Sequence, residues 1–146
     1  MKRILVPVDF SPITETVLDT AKTLARALRA EIVLLHVAQP EPEFITYEPG
    51  PESVRQAVAR EMTENHRKVQ ALHRQLETEN IPATSLVVQG YIVEKILQEI
   101  ERLNIDLVVM GSHGRSALYH MLLGSVSEGV LKKSKRPVLI VPAQKS

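Results

Sequence analysis

Short apolar runs alternate along the chain with longer segments whose apolar residues recur at the helical period. The runs are rich in β-branched residues and do not alternate strictly with polar ones, which is typical of strands buried on both faces. They are ILVPV (4–8), EIVLLHVA (31–38), TSLVVQ (84–89), DLVVMG (106–111) and PVLIVP (137–142). The helical segments span residues 17–28, 54–76, 93–103 and 126–131. This order predicts an α/β fold with a five-stranded parallel sheet and helices on both faces.

Polar residues indicate where two of the helices begin. Ser11 followed by Pro12 predicts an N-cap and a first helical position for the first helix. Ser125, with Glu128 three residues later, has the form of a capping box, so the last helix is expected to begin there. Because no internal repeat interrupts the pattern, we expect residues 1–146 to form one domain.

Composition narrows the classes of function. Aromatic residues make up 3% of the chain and the net charge is +1, which argues against base stacking and against binding DNA or an anionic membrane. The absence of cysteine excludes disulfides, thiolate catalysis and cysteine-based metal sites. No apolar stretch approaches the ~18 residues of a membrane helix, and the opening MKRILVPVDF is too short for a signal peptide. We therefore expect a cytoplasmic location.

Glycines concentrate in the segment GSHGRSALYHMLLGSVSE (111–128). Gly111, Gly114 and Gly124 follow the spacing Gly-x2-Gly-x9-Gly, with Ser125 next. A Walker A loop and the fingerprint Gly-x-Gly-x-x-Gly are both absent from the sequence. Glycines after a strand let backbone amides approach an anion, and the helix that follows contributes its dipole. The residues alone leave two interpretations open, a phosphate cradle and a simple turn.

The chain resembles the universal stress protein family, in its ATP-binding branch, over essentially its whole length. The resemblance lies in ILVPVDFS, in the strand ending His36-Val37, and in the block DLVVMGSHGRSALYHMLLGSVSEGVLKKSKRPVLIVP. The family's nucleotide signature, Gly-x2-Gly-x9-Gly-Ser/Thr, is matched in full. The resemblance implies a Rossmann-like fold, similar to the adenine nucleotide alpha hydrolases, with strand order 3-2-1-4-5. One departure is Tyr91-Ile92, where the family often has a small residue or proline.

The resemblance also implies ATP as the ligand and assigns its contacts. Pro7, Val8 and Asp9 match the turn along adenine and ribose, Val37 matches an adenine contact, and Met110 and Gly111 match the floor of the ribose and phosphate site. Gly114, Arg115, Gly124, Ser125, Val126 and Ser127 match the phosphate contacts. The resemblance further implies a divalent ion, Mg²⁺, bridging the phosphates, although no dedicated set of protein ligands is evident.

Asp9 and the histidines are the remaining candidates for chemistry. Asp9 ends a strand and lacks a partner acid nearby in sequence, so we interpret it as a recognition group for the nucleoside. His66 and His73 share one side of a helix and are expected to be partly buried surface residues. We expect His36 to be packed, and His113 and His120 to lie in the glycine segment without a required side-chain role.

Three further segments bear on partners. The proline-rich connector 39–51 is expected to be a surface loop, with a lid over the site as the alternative. Lys132, Lys133, Lys135 and Arg136 are interpreted as complementing the dipole of the last helix. The apolar strand 137–142 would be an edge in the order 3-2-1-4-5, so we predict a homodimer by antiparallel pairing with its copy, as the resemblance also implies.

Four functions remain as hypotheses. The leading one is an ATP-binding module that signals in the stress response through an unidentified protein partner. The second is a slow ATPase or a self-phosphorylating protein, which Ser125 and Ser127 near the phosphates would permit. The third is a dimeric interaction protein without nucleotide, which the intact glycine pattern disfavours. The fourth is a flavin-binding protein, which is disfavoured because the loop DFSPIT (9–14) lacks glycine.

Overall fold

The computed structural model describes residues 1–40, 52–113 and 123–143, with the backbone alone for residues 52–54. Strands and helices alternate as the pattern predicts. They are β1 (Arg3–Pro7), α1 (Thr14–Leu28), β2 (Glu31–Ala38), α2 (Glu52–Thr78), β3 (Ala83–Gln89), α3 (Ile92–Arg102), β4 (Leu107–Gly111), α4 (Ser125–Lys133) and β5 (Val138–Val141). None of the described helices is both long enough and apolar enough to cross a membrane.

The five strands form one parallel sheet in the order β3-β2-β1-β4-β5, which confirms the predicted fold class. The central strand β1 pairs with β2 on one side and with β4 on the other. The connections therefore reverse direction between β1 and β4. In open α/β sheets, ligands bind in the crevice at the carboxyl ends of the strands at such a switch point.

Two apolar clusters cover the two faces of the sheet. Ile4 and Val6 of β1 belong to the cluster that holds the buried residues of α1 and α2, while Leu5 faces the cluster of α3 and α4. These strand side chains are fully buried, and each such burial contributes about 1.5–3 kcal/mol to folding. Because successive residues point to opposite faces, a continuous apolar run is what a doubly covered strand requires.

The start of α1 corrects the prediction for Ser11. The helix begins at Thr14 with Ile13 at the N-cap, and within the described residues no side chain caps it. Ser11 lies in the preceding turn, where its carbonyl accepts the Thr14 N–H at 3.0 Å. Phe10 adopts a left-handed backbone with φ of 61°, and the Asp9 Oδ1 atom accepts the Ser11 N–H at 3.0 Å. This tight turn occupies the residues that the Ser-Pro pattern assigned to the helix.

The start of α4 agrees with the prediction, but its cap does not. The helix begins at Ser125, and Gly124 occupies the N-cap position that the capping-box pattern gave to Ser125. Ser125, the predicted cap, is thus the first residue of the helix. Two residues later, the Ser127 hydroxyl donates to the Gly111 carbonyl oxygen at 2.6 Å, a tertiary contact that the sequence did not predict.

Candidate functional site

A cleft opens at the carboxyl ends of β1, β2 and β4, at the switch point of the sheet. The space between its atoms is about 550 Å³, part of which is open solvent. Its lining comes from the ends of these strands and from the first residues of α1, α3 and α4. The lining residues are Pro7, Val8, Asp9, Ile13, Thr14, Val17, Leu35, Val37, Ile92, Ile96, Met110, Gly111, His113, Val126 and Ser127.

Most of the lining is apolar. Leu35, Val37 and Met110 are buried at the carboxyl ends of their strands, and Ile96 approaches from α3. They provide methyl and methylene surface without hydrogen-bonding groups of their own. Such a surface suits one face of a flat ring, because burying it removes apolar area from water at about 25 cal/mol per Å².

The Asp9 turn forms one edge of the cleft. Asp9 is one of the lining residues, and its carboxylate holds the turn by accepting the Ser11 N–H. The neighbouring Phe10 ring stacks on His36 with centroids 4.6 Å apart, and the Lys68 Nζ atom lies 5.2 Å from the centre of that ring. Asp9 therefore both stabilises the turn and belongs to the lining of the cleft.

The opposite end of the cleft is built from backbone and small polar groups. The Ser127 hydroxyl, which is buried, donates to the carbonyls of Gly111 and Ser112, at 2.6 and 3.1 Å. This contact holds the start of α4 against the end of β4. A Cβ atom on Gly111 would lie 3.0 Å from the Ile13 Cγ2 atom, so glycine permits the close approach of α1 at this point.

The N-terminus of α4 points a set of amides toward this end. The first i→i−4 bond of the helix runs from the Glu128 N–H to the Gly124 carbonyl, at 3.0 Å. The N–H groups of Ser125, Val126 and Ser127 thus have no acceptor within the helix. They lie at the positive end of the helix dipole, which favours an anion. Val126 and Ser127 are also in the cleft lining, so these amides border the same space.

The predicted site residues fall into three groups. Those that line the cleft are Pro7, Val8, Asp9, Val37, Met110, Gly111, Val126 and Ser127. Gly124 and Ser125 are described and lie beside the cleft without lining it. Gly114 and Arg115 lie outside the described residues. The assignment of individual ligand contacts to all of these residues stays a prediction.

Sequence reasoning missed several lining residues, chiefly Ile13, Thr14, Ile92 and Ile96. They lie at the starts of α1 and α3 or one turn further on. A helix that follows a parallel strand starts at the carboxyl edge of the sheet, so this position was available as a signal. His113 also lines the cleft, and its Nδ1 atom lies 2.9 Å from the Ser112 hydroxyl oxygen.

The other histidines form no metal centre in the part of the chain that the structure describes. His36 is half-buried and packed as predicted, with Nδ1 donating to the Val8 carbonyl at 2.8 Å. His73 is largely buried and pairs with Glu77 at 2.9 Å, whereas His66 is exposed, so the prediction of partial burial is wrong for His66. His120 lies outside the described residues, as does the connector 39–51 beyond Pro40.

Comparison with known proteins gives one consistent result. The model of the universal stress protein family matches residues 1–142. Universal stress protein MJ0577 of Methanocaldococcus jannaschii is 31% identical over 157 aligned positions, covering 99% of this chain and 97% of that protein. Universal stress protein YxiE of Bacillus subtilis is 31% identical, with 95% of this chain and 97% of that protein covered.

Comparison with solved structures also finds proteins of this family. The structure of the MJ0577 protein superimposes with a TM-score of 0.81 at 34% identity, covering 99% of this chain and 98% of that one. A universal stress protein in complex with cAMP has a TM-score of 0.70 at 23% identity and covers 96% of both chains. One from Archaeoglobus fulgidus in complex with dAMP has a TM-score of 0.68 at 17% identity, with 96% and 97% covered.

Proposed function

The chain belongs to the universal stress protein family, and from that premise we propose that it binds ATP in the cleft between β1 and β4. The single observation that carries the proposal is the make-up of this cleft, which is apolar at one end and bordered by the α4 N-terminus at the other. An adenine nucleotide has the matching chemistry, a flat ring joined through ribose to phosphates. Occupancy of this cleft then acts as a signal to a partner protein.

The apolar end would hold the nucleoside. Val37 and Ile96 offer surface for the adenine ring, and Asp9 stands at the edge of the cleft with carboxylate oxygens that can accept from adenine or ribose donors. That two proteins of the same fold are complexes with cAMP and dAMP supports an adenine nucleotide as the class of ligand.

The phosphates would lie against Gly111 and the start of α4, together with the predicted contacts Gly114 and Arg115. Among the described residues, no group of three or more acidic or histidine side chains could hold a metal ion. We therefore expect Mg²⁺ to be bound through phosphate oxygens and water, arriving with the nucleotide.

Binding rather than turnover is the function we propose. The Ser127 hydroxyl has one proton, and the structure commits it to backbone carbonyls of β4. A residue used in this way fixes the helix and is poorly placed as a nucleophile. Hydrolysis of ATP beyond a trace rate that is lost in Ser125→Ala would favour the ATPase hypothesis instead.

A charge placed at the phosphate end tests the proposal. We expect Val126→Glu to weaken ATP binding at least tenfold, or about 1.4 kcal/mol, because the new carboxylate would face the phosphates. Titration calorimetry with ATP and Mg²⁺ measures this directly. Val58→Glu is the matched control, since Val58 is also half-buried on a helix but lies outside the cleft. Absence of heat with the wild-type protein, purified free of nucleotide, would reject the proposal.

A homodimer completes the proposed function. β5 is an edge of the sheet, and its residues Val138, Leu139 and Ile140 are half-buried in the single chain. Pairing with a second copy would satisfy the outer backbone groups of this strand. We propose this arrangement together with a single domain over residues 1–146.

A further inference from the structure

Ser112 lies beside the cleft without lining it, and it joins the end of β4 to the start of α4 and to the end of β5. It is only 4% exposed, and its backbone N–H and carbonyl and its hydroxyl all take part in hydrogen bonds. Its N–H donates to the Val141 carbonyl at 2.8 Å, at the end of β5. Its carbonyl accepts from the Gly124 N–H at 2.6 Å and from the Ser127 hydroxyl at 3.1 Å.

The hydroxyl of Ser112 adds two contacts of its own. It accepts the Ala143 N–H at 3.0 Å, and it lies 2.9 Å from the His113 Nδ1 atom. The first contact fixes the chain just beyond β5, and the second orients an imidazole that lines the cleft. A side chain so buried, with this set of partners, has little rotational freedom.

The residues next to Ser112 and one of its hydrogen-bond partners line the cleft. Gly111 and His113, on either side of Ser112, both line the cleft, and Ser127 lines it from α4. The Ser112 carbonyl sets the distance between the end of β4 and the N-terminus of α4. The position of the anion-facing amides relative to the apolar end therefore depends on how this residue is held.

We propose that Ser112 is a positioning residue for the phosphate end of the nucleotide site. Its hydroxyl anchors the corner between β4 and α4 to Ala143, just beyond β5, so that His113 and the first amides of α4 are held in place before the ligand arrives. The inference rests on the proposed function and deepens it, because it assigns phosphate binding, and not adenosine binding, to this anchor.

The test compares two ligands in one variant. Ser112→Ala keeps the backbone bonds and removes the hydroxyl from Ala143 and His113. We expect ATP to bind about tenfold more weakly while adenosine binds within about twofold of wild type, since one anchoring hydrogen bond corresponds to a factor of this size. A residue with a merely structural role would weaken both ligands alike or neither. Titration calorimetry with each ligand gives the two affinities.

Three further variants serve as controls. Ser134→Ala removes a hydroxyl that likewise bonds backbone groups, donating to the Arg136 carbonyl at 2.8 Å and accepting its N–H at 3.0 Å, but at the far end of α4. It should leave both affinities unchanged. Ser112→Thr keeps the hydroxyl and should restore ATP binding. Ala143→Pro removes the backbone N–H that donates to the Ser112 hydroxyl. It replaces Ser112→Ala in the test if that variant does not fold.

The outcomes separate this inference from the proposed function. If wild-type protein binds ATP and Ser112→Ala binds it equally well, or loses both ligands equally, the inference is wrong and the proposed function stands. If the wild-type protein binds neither ligand, the proposed function and the inference fail together. A selective loss of ATP with rescue by Ser112→Thr supports both.

Discussion

At the scale of single residues, one buried lysine outside the cleft joins α1 to the turn after α2. Lys22 on α1 is only 5% exposed, and its Nζ atom lies 2.6 Å from the Glu79 Oε2 atom in the turn after α2. Arg26 contacts the other oxygen of the same carboxylate at 3.1 Å. A buried ammonium group needs such a partner, because an unpaired charge away from water is strongly unfavourable.

This pair predicts a stability that depends on pH. The hydrogen bond from Lys22 lowers the pKa of Glu79 below its ordinary value of 4.5, with Arg26 adding to the effect and burial opposing it. Because the pKa of Glu79 is lower in the folded protein than in the unfolded chain, its ionised form stabilises the fold at pH values above the unfolded pKa. This stabilisation is lost as the pH falls through the pKa of the folded state. We expect the free energy of unfolding, measured by urea denaturation, to fall less between about pH 6 and about pH 3 in Glu79→Gln than in wild type. Equal losses would contradict this role.

At the scale of elements, the edge strand β5 exposes one side of its backbone. The carbonyl of Pro137, just before β5, accepts the Val108 N–H of β4 at 3.0 Å, and the carbonyl of Val141 accepts the Ser112 N–H, just after β4, at 2.8 Å. Because backbone direction alternates along a strand, the groups of Val138 and Ile140 face away from the sheet. They are the groups that a second copy of the strand would use.

Proline at this edge tests the dimer. Ile140→Pro removes an N–H that faces away from the sheet and leaves the bonds to β4 intact. We therefore expect this variant to be a monomer. Light scattering measures its mass, and analytical centrifugation is the second method. Ile140→Ala is the control, because it loses packing but keeps the N–H and should remain dimeric. A proline variant that stays dimeric would place the contact elsewhere.

At the scale of the whole molecule, the ligand should stabilise the fold. The cleft is lined by elements from both sides of the sheet, α1 on one face and α3 and α4 on the other. A nucleotide bound there contacts parts that would separate on unfolding. Binding to the folded state alone adds stability by mass action.

We therefore expect ATP to raise the free energy of unfolding by about 2.7 kcal/mol at a hundred times its Kd. Urea denaturation with and without ATP and Mg²⁺ measures the shift. Val126→Glu should show a much smaller shift at the same concentration, and Val58→Glu should show the full one. An unchanged midpoint for wild type at saturating ATP would contradict binding to the folded state.

Much of this fold follows from the sequence, because each doubly buried strand needs a run such as IVLL (32–35) and each crossover helix needs an apolar stripe. The family resemblance supplied the strand order and most of the cleft residues. The errors lie where tertiary contacts override local patterns. A turn at Phe10 precedes the first helix, whose N-cap is Ile13 and not Ser11, and Gly124 takes the N-cap position that the capping-box pattern gave to Ser125. Ser112 was missed because its partners, such as Val141 and Gly124, come together only in the folded sheet.

The central position of β1 has a consequence for how the protein is made. Its neighbour β4 comes about a hundred residues later, as the bond from the Lys2 N–H to the Asp106 Oδ2 atom, 104 positions away, illustrates. During synthesis, β1 thus leaves the ribosome long before its second partner exists. Until then one side of an apolar strand stays unpaired, which exposes the nascent chain to aggregation and slows its folding. The central strand of the finished sheet is thus synthesised first and is the last to gain its second neighbour.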